Sequence, residues 1–250
     1  MKIQYISDLH LEFQPEIMEQ FEISKEADIL VFAGDIVTMP KDLELFFAII
    51  RNKNEYIPIL YIPGNHEYYG HIISFADTEY EDICDKYGVD YFNNTYDVYK
   101  DTLFIGSTLY SDLSGPLDAL NVSLGLNDFR IVYKYGRTQI TAEDWQQIFN
   151  NSVSLIELGL RVANVKKKVV ITHFSPSINA AEKFSQRTAI SAGFRSDLSY
   201  LFHDYEIDCW IYGHTHNPVD LNLNGCQLVS NQLGYPYETD LSLKIKIVEI

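Results

Sequence analysis

The chain has 250 residues, 46% hydrophobic and 14% aromatic, with 19 lysines and arginines against 35 aspartates and glutamates, a net charge of −16. That length and apolar content support a sizeable core and argue against disorder, and no apolar run approaches the roughly 20 residues of a membrane span. The acidic balance argues against tight, sequence-independent binding to nucleic acid, because that affinity rests on Lys and Arg meeting phosphates.

Taken in chain order, short apolar segments alternate with helical patterns. Lys2–Ser7 reads as a buried strand that starts at once, with no leader before it. Ile29–Ala33, Ile57–Ile62, Leu103–Ser107, Val169–Thr172 and Cys209–Tyr212 read the same way, rich in Ile, Val, Leu and aromatics. Leu43, Phe46, Phe47 and Ile50 recur at helical spacing, as do Trp145, Ile148, Ser152, Leu155 and Ile156. Thr38 and Thr141 are the predicted caps of those two helices. Residues 108–138 are the least regular stretch, and we read them as a loop insertion over the core. The basic run Lys166-Lys167-Lys168 is placed at a helix end, where cations suit the dipole. The tail changes character: Val219–Leu223, Gln227–Ser230 and Leu241–Ile250 read as strands without helices between them. Asn224-Gly225 joins the first two as a hairpin turn. The whole is predicted as one domain, 1–250, with an α/β core and a β-rich end. Cys84, Cys209 and Cys226 are far apart and odd in number, so reduced, buried thiols and a cytoplasmic setting are expected.

Unusual residues collect where the predicted strands end. The first strand runs into Asp8 and His10, the second into Gly34-Asp35, the third into Gly64-Asn65-His66. A later strand ends at His173, and another at Gly213-His214-Thr215-His216. In an open α/β sheet, ligands bind at the carboxyl ends of strands, so these residues should converge. Each signal alone is weak: Asp-x-His arises by chance, and Gly-Asp and Gly-Asn-His are ordinary turn chemistry. Their ordered joint occurrence is not explained that way.

That ordered set resembles the signature of the calcineurin-like metallophosphoesterases, with all five blocks, from Asp8 to His216, unsubstituted. The resemblance implies an α/β fold of two packed mixed β-sheets flanked by helices, a four-layer α/β/β/α sandwich. It implies two divalent metals, one held by Asp8, His10, Asp35 and His216, the other by Asp35, Asn65, His173 and His214, with Asp35 bridging. Imidazole, carboxylate and amide donors without thiolate suit Mn²⁺ first, with Fe, Zn, Co or Ni as alternatives. A metal-bridging hydroxide would then hydrolyse a phosphomonoester or phosphodiester of a small molecule or nucleotide. By the same resemblance His66 contacts the phosphoryl group and protonates the leaving group. Asn65 and Arg130 are further candidate substrate contacts, Arg130 as a bidentate phosphate donor. Tyr68, Tyr69 and the stretch 231–235 are candidate neighbours of the cleft, and Glu67 a candidate partner of His66. His71 and His203 lack motif context. Two other readings are a nuclease, disfavoured by the charge, and a non-catalytic scaffold, which would be expected to have lost ligands that are all present here.

Overall fold

The structure is a computed structural model that describes residues 1–162, 165–180, 188–238 and 242–250. Its strands are β1 (Lys2–Ile6), β2 (Ile29–Ala33), β3 (Ile59–Ile62), β4 (Asp90–Tyr91), β5 (Thr95–Tyr99), β6 (Thr102–Ser107), β7 (Tyr133–Tyr135), β8 (Thr138–Gln139), β9 (Lys167–Thr172), β10 (Cys209–Tyr212), β11 (Asp220–Leu223), β12 (Cys226–Ser230) and β13 (Ile247–Glu249). Its α-helices are α1 (Ile17–Gln20), α2 (Pro40–Lys53), α3 (Ile73–Lys86), α4 (Pro116–Gly125), α5 (Asp128–Ile131), α6 (Ala142–Val162) and α7 (Leu201–Asp204).

One sheet has the order β13-β1-β2-β3-β4, and a second the order β11-β12-β10-β9-β6-β5. Strands β1, β2, β3 and β4 run parallel, as do β6, β9, β10 and β12, while β13, β11 and β5 are antiparallel edges. Both sheets are therefore mixed. Alternation along the strands divides the core in two. Ile3, Tyr5, Val31 and Ile62 from one sheet form a single buried cluster with Phe104, Val169, Ile171 and Ile211 from the other, so the sheets pack face to face. The intervening residues turn outward under helices: Phe32 and Tyr61 lie beside Phe46 and Phe47 of α2, and Leu103, Ile105 and Val170 belong to the cluster that holds Trp145, Ile156 and Leu160 of α6. This is the expected sandwich with flanking helices.

Several local expectations change. α2 starts at Pro40 with Met39 as its cap, not Thr38, because proline's fixed φ sets the first turn without a side-chain cap. Thr141 does cap α6: its Oγ1 accepts from Asp144 N (3.3 Å), and Asp144 Oδ2 accepts from Thr141 N (2.8 Å). Lys167 and Lys168 open β9 rather than ending a helix; Lys167 Nζ and Lys168 N both bond the Asp208 carboxylate at 2.8 Å. The stretch 108–138 contains α4, α5 and the β7–β8 hairpin, so it is more regular than a loop. Asn224 (φ 51°) and Gly225 (φ 91°) make the predicted two-residue turn between β11 and β12. The predicted strand from Leu241 begins outside the described residues, and its described part pairs only over Ile247–Glu249. All three cysteines are buried and free. Among the described residues, no helix is long and apolar enough to cross a membrane.

Candidate metal centre

The parallel strands of both sheets end on the same side, and the loops that follow β1, β2, β3, β9 and β10 meet there. Three groups of donor atoms result among the described residues, each within 4.8 Å: Asp8, His10 and His216; Asp35, His173 and His214; and His10, Glu12 and His66, which shares His10 with the first. Asp35 stands between the first two, with Oδ2 3.2 Å from His173 Nε2 and 4.0 Å from His10 Nε2. His10 Nε2 and His216 Nε2 face each other at 3.1 Å, and His216 Nε2 is 3.1 Å from Asp8 Oδ1.

The backbone is bent to achieve this. Among the described residues, eleven besides glycine have positive φ, and five of these are Asp8, His10, Asp35, His214 and His216. Such conformations cost about 1–3 kcal/mol each and concentrate at functional sites. Gly34 (φ 87°) and Gly64 let two strand ends approach: a Cβ on either would collide with His173, and on Gly64 also with Asp35.

Glu67 holds the approach together from below. This fully buried carboxylate accepts from Gly64 N (2.7 Å), Asp35 N (3.0 Å), Ile36 N (2.8 Å) and Tyr61 Oη (2.9 Å). Burial and the nearby Asp35 charge push it up to about 7, against these donors, which favour the ionised form. Glu67 is therefore a clasp for the Asp35 and Gly64 loops and not the partner of His66. That partner is Glu12, whose Oε1 is 2.9 Å from His66 Nδ1 and 3.4 Å from His10 Nδ1.

The imidazoles are set in defined orientations. His173 Nδ1 donates to Ala33 O (2.8 Å), which turns Nε2 toward Asp35. His216 Nδ1 faces Glu238 Oε2 at 2.6 Å, which turns Nε2 toward Asp8 and His10. His214 does the reverse, with Nε2 directed at Gly193 O (3.3 Å) and Nδ1 left free. The buried carboxylates and imidazoles shift one another. Burial opposes charge on His173 and His216, but Asp35 lifts His173 to about 9, and hydrogen bonds to Asp8 and Glu238 lift His216 to about 10. Burial and then the His173 charge hold His214 down to about 3, a neutral ring. Asp35, despite burial, is held well below its ordinary value by the charges of His173 and His66.

These residues fit divalent cations. His173 Nε2 and Asn65 Oδ1 are buried with no hydrogen-bond partner among the described residues; His173 Nε2 lies near Asp35 without hydrogen-bond geometry. Buried polar atoms are otherwise nearly always satisfied. Orphaned lone pairs, two adjacent carboxylates and opposed imidazole nitrogens are what a cation would satisfy.

His66 sits over the centre. Its N–H donates to Asp35 Oδ1 (2.9 Å), its ring edge meets Tyr235 Oη through Nε2 (3.1 Å), and its face lies against Tyr69 (4.3 Å between centroids). Burial lowers its affinity for a proton, but Asp35 and Glu12 more than restore it, leaving the group above its ordinary value. A cavity of about 320 Å³ opens above, lined by His66, Asn65, Tyr69, Asp128, Tyr235 and Glu238 among others.

The remaining candidates divide. Tyr69 and Tyr235 reach the cavity. Tyr68 is buried and bonds Asp77 instead. Asn231 bonds the carbonyls of Tyr5 and Lys244. His71 faces Thr38 O, and His203 meets the Asn224 side chain. Arg130 is exposed, bonded to Leu124 O (2.6 Å) and Asn127 Oδ1 (3.2 Å), and is not among the residues lining the cavity. Tyr69 is placed at the cavity as expected, while Glu12, Asp128 and Glu238 are the contributors that sequence reasoning did not assign. Only Glu12 left a trace, extending the Asp8, His10 alternation by one step. The others meet the centre through folding alone.

Residues 1–218 match the model of the calcineurin-like phosphoesterase family. The chain belongs to this family. A calcineurin-like phosphoesterase is a metal-dependent hydrolase of phosphoesters, and the site described here has the donors such an enzyme requires. An uncharacterized protein of Acanthamoeba polyphaga mimivirus is 28% identical over 262 residues, 94% of this chain and 92% of its own length. The crystal structure of the phosphopantetheinyl hydrolase (PptH) from Mycobacterium tuberculosis superposes with a TM-score of 0.78 at 17% identity, covering 99% of this phosphoesterase and 95% of that chain. Glu238, which holds His216, lies beyond the family match.

Proposed function

We propose that this phosphoesterase uses two divalent cations to hydrolyse a phosphomonoester or phosphodiester of a small molecule or nucleotide. The observation that carries the reading is the pair of donor groups, one with Asp8, His10 and His216, the other with His173 and His214, flanking the single carboxylate of Asp35. Asn65 completes the second group through its unpartnered Oδ1. Mn²⁺ is our first choice, since the set is nitrogen and oxygen only. When bound, a pair of such ions supplies a water nucleophile of lowered pKa and positive charge for the phosphoryl oxygens.

The protein's own groups do the rest. Glu12 and Asp35 keep a proton on His66, whose Nε2 faces the cavity where Tyr235 Oη now meets it. In that place His66 hydrogen-bonds a phosphoryl oxygen and hands its proton to the leaving alkoxide. Tyr69, Tyr235 and Tyr237 give the cavity aromatic walls suited to the organic part of a small ester. The structural neighbour of the same fold is named a phosphopantetheinyl hydrolase. We take residues 1–250 as one functional unit in which the 108–138 segment walls the cleft. The three free buried thiols fit a cytoplasmic setting.

The test is a screen of manganese-loaded protein against generic mono- and diesters, then nucleotides and cyclic nucleotides, with Asp35→Asn alongside. We expect turnover of at least one class, and in the variant a loss of bound metal and at least about 100-fold in rate. Two full equivalents of metal with normal turnover in Asp35→Asn would overturn the bridging role.

A further inference from the structure

We propose that Tyr69 and Asp128 form a relay that fixes the carboxamide of Asn65 with its oxygen toward the metal centre, which makes both of them positioning residues for cation binding. The inference rests on the metal-binding reading above.

Asn65 cannot choose its orientation from its backbone. It lies between Gly64, pressed against Asp35 and His173, and His66, whose N–H bonds Asp35. A carboxamide has an acceptor end and a donor end of nearly equal size, so a half-turn of the group would aim an NH₂ at a cation. The relay removes that freedom. Asn65 Nδ2 is 3.1 Å from Tyr69 Oη, and Tyr69 Oη is 3.0 Å from Asp128 Oδ2. A carboxylate only accepts hydrogen bonds, so the phenol spends its single proton on Asp128. Its oxygen is then free only to accept, and the amide end of Asn65 that can donate is Nδ2. Oδ1 must turn the other way. There it is buried with no hydrogen-bond partner among the described residues, the condition of an atom waiting for a cation.

Two further observations make this a role beyond packing. Asp128 is 2% exposed, and its other oxygen, Oδ1, also has no hydrogen-bond partner among the described residues. Burying a carboxylate on so little compensation is costly, and a neutral side chain would fill the same space without that cost. The relay also crosses elements: Asp128 opens α5, in the 108–138 segment, while Tyr69 follows the turn that carries Asn65. Local sequence alone would not bring them together.

The experiment titrates metal-free protein with Mn²⁺ by calorimetry and measures the thermal midpoint of the same metal-free samples. Tyr69→Phe removes one oxygen and keeps the ring against His66. We expect it to weaken one of the two cations by about 10–100-fold, leaving the other cation and the metal-free midpoint unchanged. Asp128→Ala should match it. Asp128→Asn keeps an acceptor for the phenol and should bind within a few-fold of the parent. The relay is overturned if Tyr69→Phe binds both cations with parental affinity. It is equally overturned if both are weakened together with a lowered metal-free midpoint, the mark of general packing damage. If the parent itself binds one cation, the two-metal reading fails separately; the relay then stands if Tyr69→Phe weakens that cation and falls if it does not.

Discussion

The imidazole of His66 meets Glu12 and Tyr235 and stands 4.0 Å from Asp35 Oδ2, and its backbone bonds the same Asp35 carboxylate. Removing its side chain should therefore separate metal binding from turnover. For His66→Ala we expect full metal content with a loss of about 10²–10⁴ in kcat on esters with alkoxide leaving groups. The loss should shrink on nitrophenyl esters, whose leaving group needs little protonation. Equal losses on both would show that His66 stabilises phosphoryl charge rather than transferring a proton. The seven proposed ligands and His66 could be named from the sequence because a metal site demands particular side chains. Glu12 and Glu238 were not, since a carboxylate holding an imidazole can arrive from anywhere that folding places it. Arg130 shows the converse. It has the right chemistry for phosphate, but its guanidinium is used to close the turn around Leu124 and Asn127 at the surface.

The loops after β2 and β3 are short, strained and dependent on one side chain. Glu67 accepts three close backbone bonds and one from Tyr61, with Val37 N at a more distant 3.4 Å. Deleting it leaves several buried donors unmet, at about 1–3 kcal/mol each. Glu67→Ala should lower the unfolding free energy of the metal-free protein by about 3–5 kcal/mol in urea titration, with Glu67→Gln losing less. A loss below about 1 kcal/mol would show that water replaces the clasp. At this scale the parallel strands other than β4 were legible as apolar runs, and their observed limits agree with the expected ones to within two residues. α3 was missed because its apolar positions are sparse, only Ala76, Tyr80 and Cys84 being buried. β4 and β5 were missed because they are a two-residue strand and an edge strand with little burial.

Across the whole molecule, the centre concentrates strained backbone, buried carboxylates and orphaned lone pairs at the edge where two sheets meet. A cation that binds only the folded chain satisfies the lone pairs, neutralises the carboxylates and offsets the cost of the strained backbone. At free metal roughly 100-fold above its dissociation constant, the gain is about 2.7 kcal/mol. For a chain of this size that corresponds to about 5–11 °C in melting temperature. Chelation should lower the midpoint by that much and re-addition of Mn²⁺ should restore it; an unchanged midpoint would contradict cation binding at this buried site.

The sequence by itself determined the chemistry of the centre and the class of fold. Metal donors are scarce residue types, and strand ends followed by glycine are local features, so both are written where they occur. It also determined the turn at Asn224-Gly225, whose positive φ values suit those two residues. The tertiary structure decided what depends on distant segments meeting. It set Glu67 beneath Asp35 and Glu12 beside His66, brought Glu238 onto His216 from beyond the family match, and joined Asp128 to Asn65 through Tyr69. Each of these is a single hydrogen-bonding group whose role is fixed by what lies within about 3 Å of it, and no periodicity along the chain records that neighbour.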